Sequence, residues 1–131
     1  PSFTELRRDG ADVERWNRLN PEATPRKAWV TQSLEGRGTV AVAATDYVRA
    51  QAEQIRAYLP HGMRYVALGT DGFGRSDTRA NLRRFFEVDR HYIAHATVAA
   101  LADAGEIERG EVARAIKLYG IDTGKPNPAT V

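Results

Sequence analysis

The stretch Thr39-Val-Ala-Val-Ala-Ala-Thr45 is a run of small apolar residues with no polar alternation, and Arg64-Tyr-Val-Ala-Leu-Gly69 is a second apolar run further along the chain. Between them Val48, Ala52, Ile55 and Leu59 recur at helical spacing, with Asp46 placed to cap a helix and Pro60-His61-Gly62 placed to stop it. A strand without polar alternation is covered on both faces, as happens in parallel sheets. Strand, helix and strand in this order predict a right-handed βαβ unit, so the fold class is α/β with a mainly parallel sheet.

Upstream, Phe3, Leu6, Val13, Trp16 and Leu19 give an amphipathic segment over about 4–19, which Asp9-Gly10 divides into a turn and a helix and Asn20-Pro21 ends. Residues 21–27, with Pro21 and Pro25, read as an extended connection. Trp29, Val30 and Leu34 form a short apolar element that fits either a strand or a helix. Downstream, the periodicity predicts helices over about 78–88, 90–104 and 110–119, with Asp77 and Asp89 as N-caps and Gly105 and Gly120 as C-terminal glycines. The tail from Ile121 reads as irregular.

Two clear strands are too few for a typical sheet of about five to six. The chain also opens on Pro1 and enters a helical pattern with no leading strand. A single domain over 1–131, cut at its N-terminal side and lacking its first strands, is therefore expected.

With 131 residues there is room for one core, and 42% hydrophobic with 27% charged residues is ordinary globular usage. The absence of cysteine excludes disulfides, thiolate nucleophiles and cysteine zinc sites, and fits a reducing, cytoplasmic setting. No apolar run has the length of a membrane helix. A net charge of +2 is no nucleic-acid signature. Neither a membrane nor a nucleic-acid partner is expected.

The densest motif is Gly69-Thr-Asp-Gly-Phe-Gly-Arg-Ser-Asp77, a glycine-rich loop between a strand and a helix. Ligands sit at such places in open α/β sheets, yet the spacing matches neither a P-loop nor a dinucleotide fingerprint. It reads as a structural turn or as an anion or interface loop. His91 and His95 are one helical turn apart, but the glutamate of a zincin helix is absent and no third ligand is evident, so packing or solvated histidines are expected. Arg79, Arg83 and Arg84, with Arg75 and Arg90 nearby, are interleaved with Glu87 and Asp89 and read as ion-pairing partners within or between subunits. Ser2, Ser33 and Ser76 have no nucleophile elbow. Acid pairs such as Asp9 with Asp12, or Asp71 with Asp77, read as turn and cap residues. Physical reading alone thus gives an α/β domain without a self-contained active site.

The run Asp71-Gly-Phe-Gly-Arg-Ser-Asp-Thr-Arg79, continuing into Asn81-Leu-Arg-Arg-Phe-Phe-Glu-Val-Asp89, resembles the C-terminal part of the homodimeric pyruvate dehydrogenase component, the decarboxylase of the pyruvate dehydrogenase complex. Ser2-Phe-Thr-Glu-Leu-Arg-Arg-Asp-Gly10, Glu14-Arg-Trp-Asn17, Ala43-Ala-Thr-Asp-Tyr47, Glu53-Gln-Ile-Arg56 and the closing Asn127-Pro128 are similar to that family in the same order. The resemblance implies a transketolase C-terminal-like three-layer sandwich that supplies the later strands. It implies thiamine diphosphate and magnesium in the full-length enzyme, pyruvate as substrate, and the lipoyl acyltransferase as acetyl acceptor. More distant thiamine enzymes such as transketolase share the implied fold.

No catalytic, cofactor or metal residue of the family maps onto this chain. Its expected role is structural, packing on the other domains and on the dimer mate, with Asp71, Phe73, Arg75, Ser76, Asp77 and Arg79 as contact candidates. Arg75 and Asp77 are expected to make the charge-assisted bonds. Two other classes of function compete with this one. The first is a free-standing binding module that uses loop 69–77 for an anionic ligand or a protein partner, and the second is a small enzyme built on His91 and His95.

Overall fold

The computed structural model describes residues 2–131. Helix α1 (Phe3–Leu19) starts at Ser2, whose hydroxyl accepts from the Glu5 amide at 3.2 Å. It is continuous through Asp9-Gly10, where the sequence predicts a turn. Gly10 is buried, and a Cβ there would meet the Tyr58 ring at 2.6 Å. The missing side chain therefore makes room for an aromatic ring, which offsets the cost of about 1 kcal/mol for glycine inside a helix. Asp9 does not turn the chain either; its carboxylate accepts from the Trp29 amide at 2.7 Å and so caps helix α2 (Trp29–Leu34), which has no cap of its own. The ambiguous element is thus a helix.

Between α1 and α2 the extended segment is pinned to α1. Asn17 holds both backbone groups of Arg26, at 2.9 and 3.0 Å, and the Arg26 guanidinium lies 3.7 Å over the Trp16 ring.

Strands β1 (Val40–Ala44) and β2 (Arg64–Leu68) pair in parallel, Val40 opposite Arg64 through Ala44 opposite Leu68. Alternation puts Ala41, Ala43, Tyr65 and Ala67 on one face, where they join a cluster with Ala28, Val30, Ala52 and Ile55 beneath α1 and α2. The other face carries Val40, Val42, Val66 and Leu68, and helix α5 (Arg90–Asp103) packs against both strands. Helix α6 (Arg109–Tyr119) packs on α5. Helices on both faces of a parallel pair make an α/β arrangement. The expected double covering of β1 is incomplete, because its residues are only half-buried and Ala44 is exposed.

The connection between the strands departs from expectation. In place of a helix over 46–59, there is one helical turn, α3 (Ala50–Glu53), followed by a 3₁₀ turn at Arg56–Tyr58. The reason is competition for backbone groups: the carbonyls of Asp46 and Tyr47 accept from the hydroxyl and amide of Thr70, each at 2.9 Å, and so cannot begin a helix. Asp46 caps nothing, and Val48 is exposed rather than on a buried stripe. Ala52 and Ile55 do reach the core, and the Tyr65 hydroxyl donates to the Ala52 carbonyl at 2.6 Å. Burial pushes the Tyr65 phenol up to about 12.

Helix α4 (Arg79–Phe85) begins one residue later than expected, with Thr78 rather than Asp77 as its cap. Asp89 caps α5 as expected, at 2.9 Å from the Tyr92 amide. The tail is not wholly irregular: Pro128–Thr130 forms a 3₁₀ turn in which Pro128 is buried. Among the described residues no helix is long and apolar enough to cross a membrane.

Candidate functional site

Loop 69–77 leaves β2 at the carboxyl ends of both strands, where a parallel sheet places its variable chemistry. Its first half is held by the chain itself. A Cβ on Gly69 would meet the Arg49 backbone and, at 2.9 Å, the Tyr47 carbonyl. Gly72 adopts φ +118, outside the range of L-residues, and a Cβ there would run into the Pro128 carbonyl. Two glycines of the motif are thus explained by close backbone approach to the 47–49 segment and to the tail.

The contact candidates divide by what they already touch. The Asp71 carboxylate accepts from the Arg49 amide at 2.8 Å, so it caps α3 from the opposite strand exit. Asp77 accepts from the Thr78 amide at 2.7 Å and from the Asn81 side-chain amide at 3.0 Å. Those two bonds, the Asn81 bond first, hold its carboxyl below the usual range. The start of α4 is therefore occupied by the loop's own carboxylate and by the Thr78 hydroxyl.

The Arg75 guanidinium lies 3.9 Å over the Phe85 ring. Phe73 is 76% exposed, while Ser76 and Arg79 are exposed as well.

An open cavity borders this loop and shares a wall with a second one on the far side of α4's Arg83. One, of about 460 Å³, lies between loop 69–77 and α4, bordered by Phe73, Arg75, Arg79, Leu82 and Phe86. The other, of about 690 Å³, lies between β1, α4 and the start of α5, bordered by Arg84, Arg90 and His91. The wall is the ion pair of Arg83 with Asp46, at 3.0 Å across 37 residues of sequence. The Arg83 hydrogen bond, with a smaller contribution from the charge of Arg79, holds the Asp46 carboxyl below its ordinary range.

Of the remaining arginines in the patch, Arg84 donates to the Gly120 carbonyl at 3.2 Å. The expected pairing is therefore met inside the chain by Arg83 alone among the described residues. His91 stacks on Tyr119, centroids 5.3 Å apart and planes 8° from parallel. Among the described residues no group of three His, Cys, Asp or Glu side chains could hold a metal ion, so the His91/His95 pair gains no third ligand.

Sequence reasoning missed the residue that ties the tail to this site. Lys125 donates to the Phe85 carbonyl at 2.7 Å and to Glu87 at 3.1 Å, and lies 5.0 Å over the Phe85 ring. Phe85 is thus held between a cation from the loop and a cation from the tail. Glu87 takes φ +62, and the Val88 amide reaches back to the Arg83 carbonyl at 2.9 Å, which closes α4 as a C-terminal glycine would. No motif marks this, because an acidic residue stands where the pattern asks for glycine.

The profile of the transketolase-like TK C-terminal domain matches residues 1–89, from α1 through the end of α4. The chain is similar along its length to proteins named pyruvate dehydrogenase E1 component. That of Cupriavidus necator is 59% identical over 131 residues, covering 100% of this chain and 14% of the relative. That of Pseudomonas aeruginosa is 56% identical over 128 residues and that of Escherichia coli 52% over 127, covering 98% and 97% of this chain and 14% of each relative. The chain therefore spans about one seventh of the length of these relatives, and its βαβ unit lies within the matched region. It belongs to the family of transketolase-like C-terminal domains.

Proposed function

We propose that residues 1–131 form one domain-like unit of a pyruvate dehydrogenase E1 component, and that this unit assembles the enzyme rather than performing its chemistry. The observation that carries the reading is 59% identity over every residue of the chain to a protein of that name. Identity at that level over the full length of the chain fits shared function better than shared fold alone. The whole polypeptide would decarboxylate pyruvate with thiamine diphosphate and magnesium, and would hand the acetyl group to a lipoyl group on the acyltransferase.

The cofactor belongs to the remainder of the polypeptide in this reading. The described residues offer no group of three carboxylate or imidazole side chains for the magnesium ion. What this chain contributes is shape and contact. The free edges of the two-stranded sheet would receive the first strands of the complete domain. Loop 69–77 would meet another domain or the dimer mate through Asp71, Phe73, Arg75, Ser76, Asp77 and Arg79. Within that set, Asp71 and Asp77 act by holding the loop in shape, which leaves Phe73 and Arg79 facing outward.

The test uses the natural polypeptide that contains this sequence, purified and assayed for pyruvate oxidation with an artificial electron acceptor. Turnover that requires added thiamine diphosphate and magnesium is expected. A purified polypeptide that binds the cofactor but leaves pyruvate untouched would overturn the assignment.

A further inference from the structure

The groove between loop 69–77 and α4 has a chemistry that its own chain does not use up. Its floor is apolar, made by Leu82 and Phe86, and Phe73 stands at its rim with three quarters of its surface in water. Three guanidinium groups border it: Arg75, Arg79 and Arg83. Two carboxylates also border it, but both are engaged, Asp46 by Arg83 and Asp77 by Asn81 and the Thr78 amide. Arg79 makes no ion pair among the described residues, and Arg75 faces only the Phe85 ring. Arg79 and Arg83 are four residues apart on one helix, a like-charge spacing that costs stability unless something negative lies near. Asp46 bonds Arg83 directly and meets Arg79 only through its charge.

A concave surface with an apolar floor, an exposed aromatic rim and surplus positive charge is complementary to a segment with the opposite pattern. From this charge complementarity we propose that the groove docks an acidic segment of the same, longer polypeptide. Carboxylates of that segment pair with Arg79 and Arg75, and one of its aromatic or branched aliphatic side chains lies against Phe73, Leu82 and Phe86. The inference rests on the assignment above, because the relatives are about seven times as long as this chain. A segment of the same polypeptide binds intramolecularly, at an effective concentration set by the chain that joins it, so a groove of about 460 Å³ needs few anchors to hold it.

Photo-crosslinking in the full-length polypeptide tests this. Phe73 is exposed, so Phe73→p-benzoylphenylalanine leaves the fold intact. After irradiation, mass spectrometry should find the residue joined to a peptide of the same polypeptide that carries at least two Asp or Glu. Arg79→Glu should lower the crosslink yield about tenfold, and Arg79→Lys should largely retain it. Crosslinking to a second copy, to a different protein or to a peptide without carboxylates would overturn the proposal, as would no crosslink or a yield indifferent to Arg79→Glu.

Pyruvate turnover measured on the same samples separates the two claims. Full turnover without the intrachain crosslink sinks the groove and spares the enzyme assignment. The crosslink without turnover does the reverse.

Discussion

The two faces of the β1–β2 pair are built from similar residues and end in different states. On one face Tyr65 and Ala67 are buried, with Ala41 and Ala43 packed beside them, under a cluster that draws on α1, α2, α3 and the turn after it. On the other, Val40, Val42, Val66 and Leu68 stay half-buried beneath α5, which is itself half-buried at every residue from His91 to Ala99. Half-burial on every side means that α5 has no single face turned fully to water. One face is therefore closed, whereas the other is only half-covered by α5.

Substitution separates the faces most sharply. Tyr65→Ala empties the centre of the closed face and is expected to lower stability by about 3–5 kcal/mol, as for other buried aromatic truncations. Leu68→Ala, on the open face, is expected to cost about 1–2 kcal/mol because less of its surface leaves water. Urea unfolding of both variants checks the ratio, and equal losses would remove the asymmetry. Alkali should find the closed face too. The Tyr65 phenol titrates near 12 in the folded chain against about 10 in an unfolded one, so its contribution is intact below pH 10 and is lost as pH rises toward 12. Tyr65→Phe should flatten that part of the stability curve.

The next effect concerns how the loop and tail close the carboxyl ends of the strands. Gly72→Ala forces a Cβ into the Pro128 carbonyl at a φ that alanine avoids. A loss of about 2–3 kcal/mol is expected, with faster proteolysis after Tyr119 as the tail detaches. An unchanged cleavage pattern would show that the tail is held by Lys125 alone. Smaller again is the cap in trans: Asp71→Ala removes the carboxylate from the Arg49 amide and should cost about 1 kcal/mol. Asp71→Asn should recover most of it, since an amide oxygen can still accept, and failure to recover would assign the effect to the charge facing Arg49.

The sequence was most legible where a pattern repeats within one element. The apolar runs at 39–45 and 64–69 gave the parallel pair, and Asp89 and Gly120 marked helix ends because caps act locally. It was least legible where a residue acts on a distant part of the chain. Asp9 and Asp71 read as turn residues and are in fact caps for helices 20 and 22 positions away. Gly10 reads as a breaker, and only the Tyr58 ring 48 residues later explains it. The segment 46–59 has a helical stripe, yet Thr70 takes the carbonyls that would have started the helix. Within the candidate site, the stretch 71–79 was visible as a motif, whereas Lys125 was not, because a lysine in a tail carries no spacing that points to its carbonyl partner.

The smallest expected effect compares a distant ion pair with a local one. Asp46 and Arg83 join the end of β1 to α4, while Glu53 and Arg56 are three residues apart beside the closed face. In both cases the arginine's hydrogen bond holds the carboxyl below its ordinary value. Each contribution is therefore fully present above the unfolded carboxyl's range, near pH 4 to 4.5, and is lost as pH falls through the lower folded value. Both pairs are well exposed, so water screens each of them heavily and each contributes little to stability. Their consequences differ even so, because Glu53 steadies an arginine that also donates to the Tyr65 carbonyl beside the closed face, whereas Asp46 with Arg83 is the wall between the two cavities. Asp46→Asn should reduce the acid sensitivity slightly and should also raise hydrogen exchange in α4, with that in α3 unchanged. Glu53→Gln should also reduce the acid sensitivity slightly, but should raise exchange in α3 and leave that in α4 unchanged. If both variants change exchange only at their own positions, α4 is held by Thr78, Arg84 and Lys125, and the wall is an ordinary surface pair.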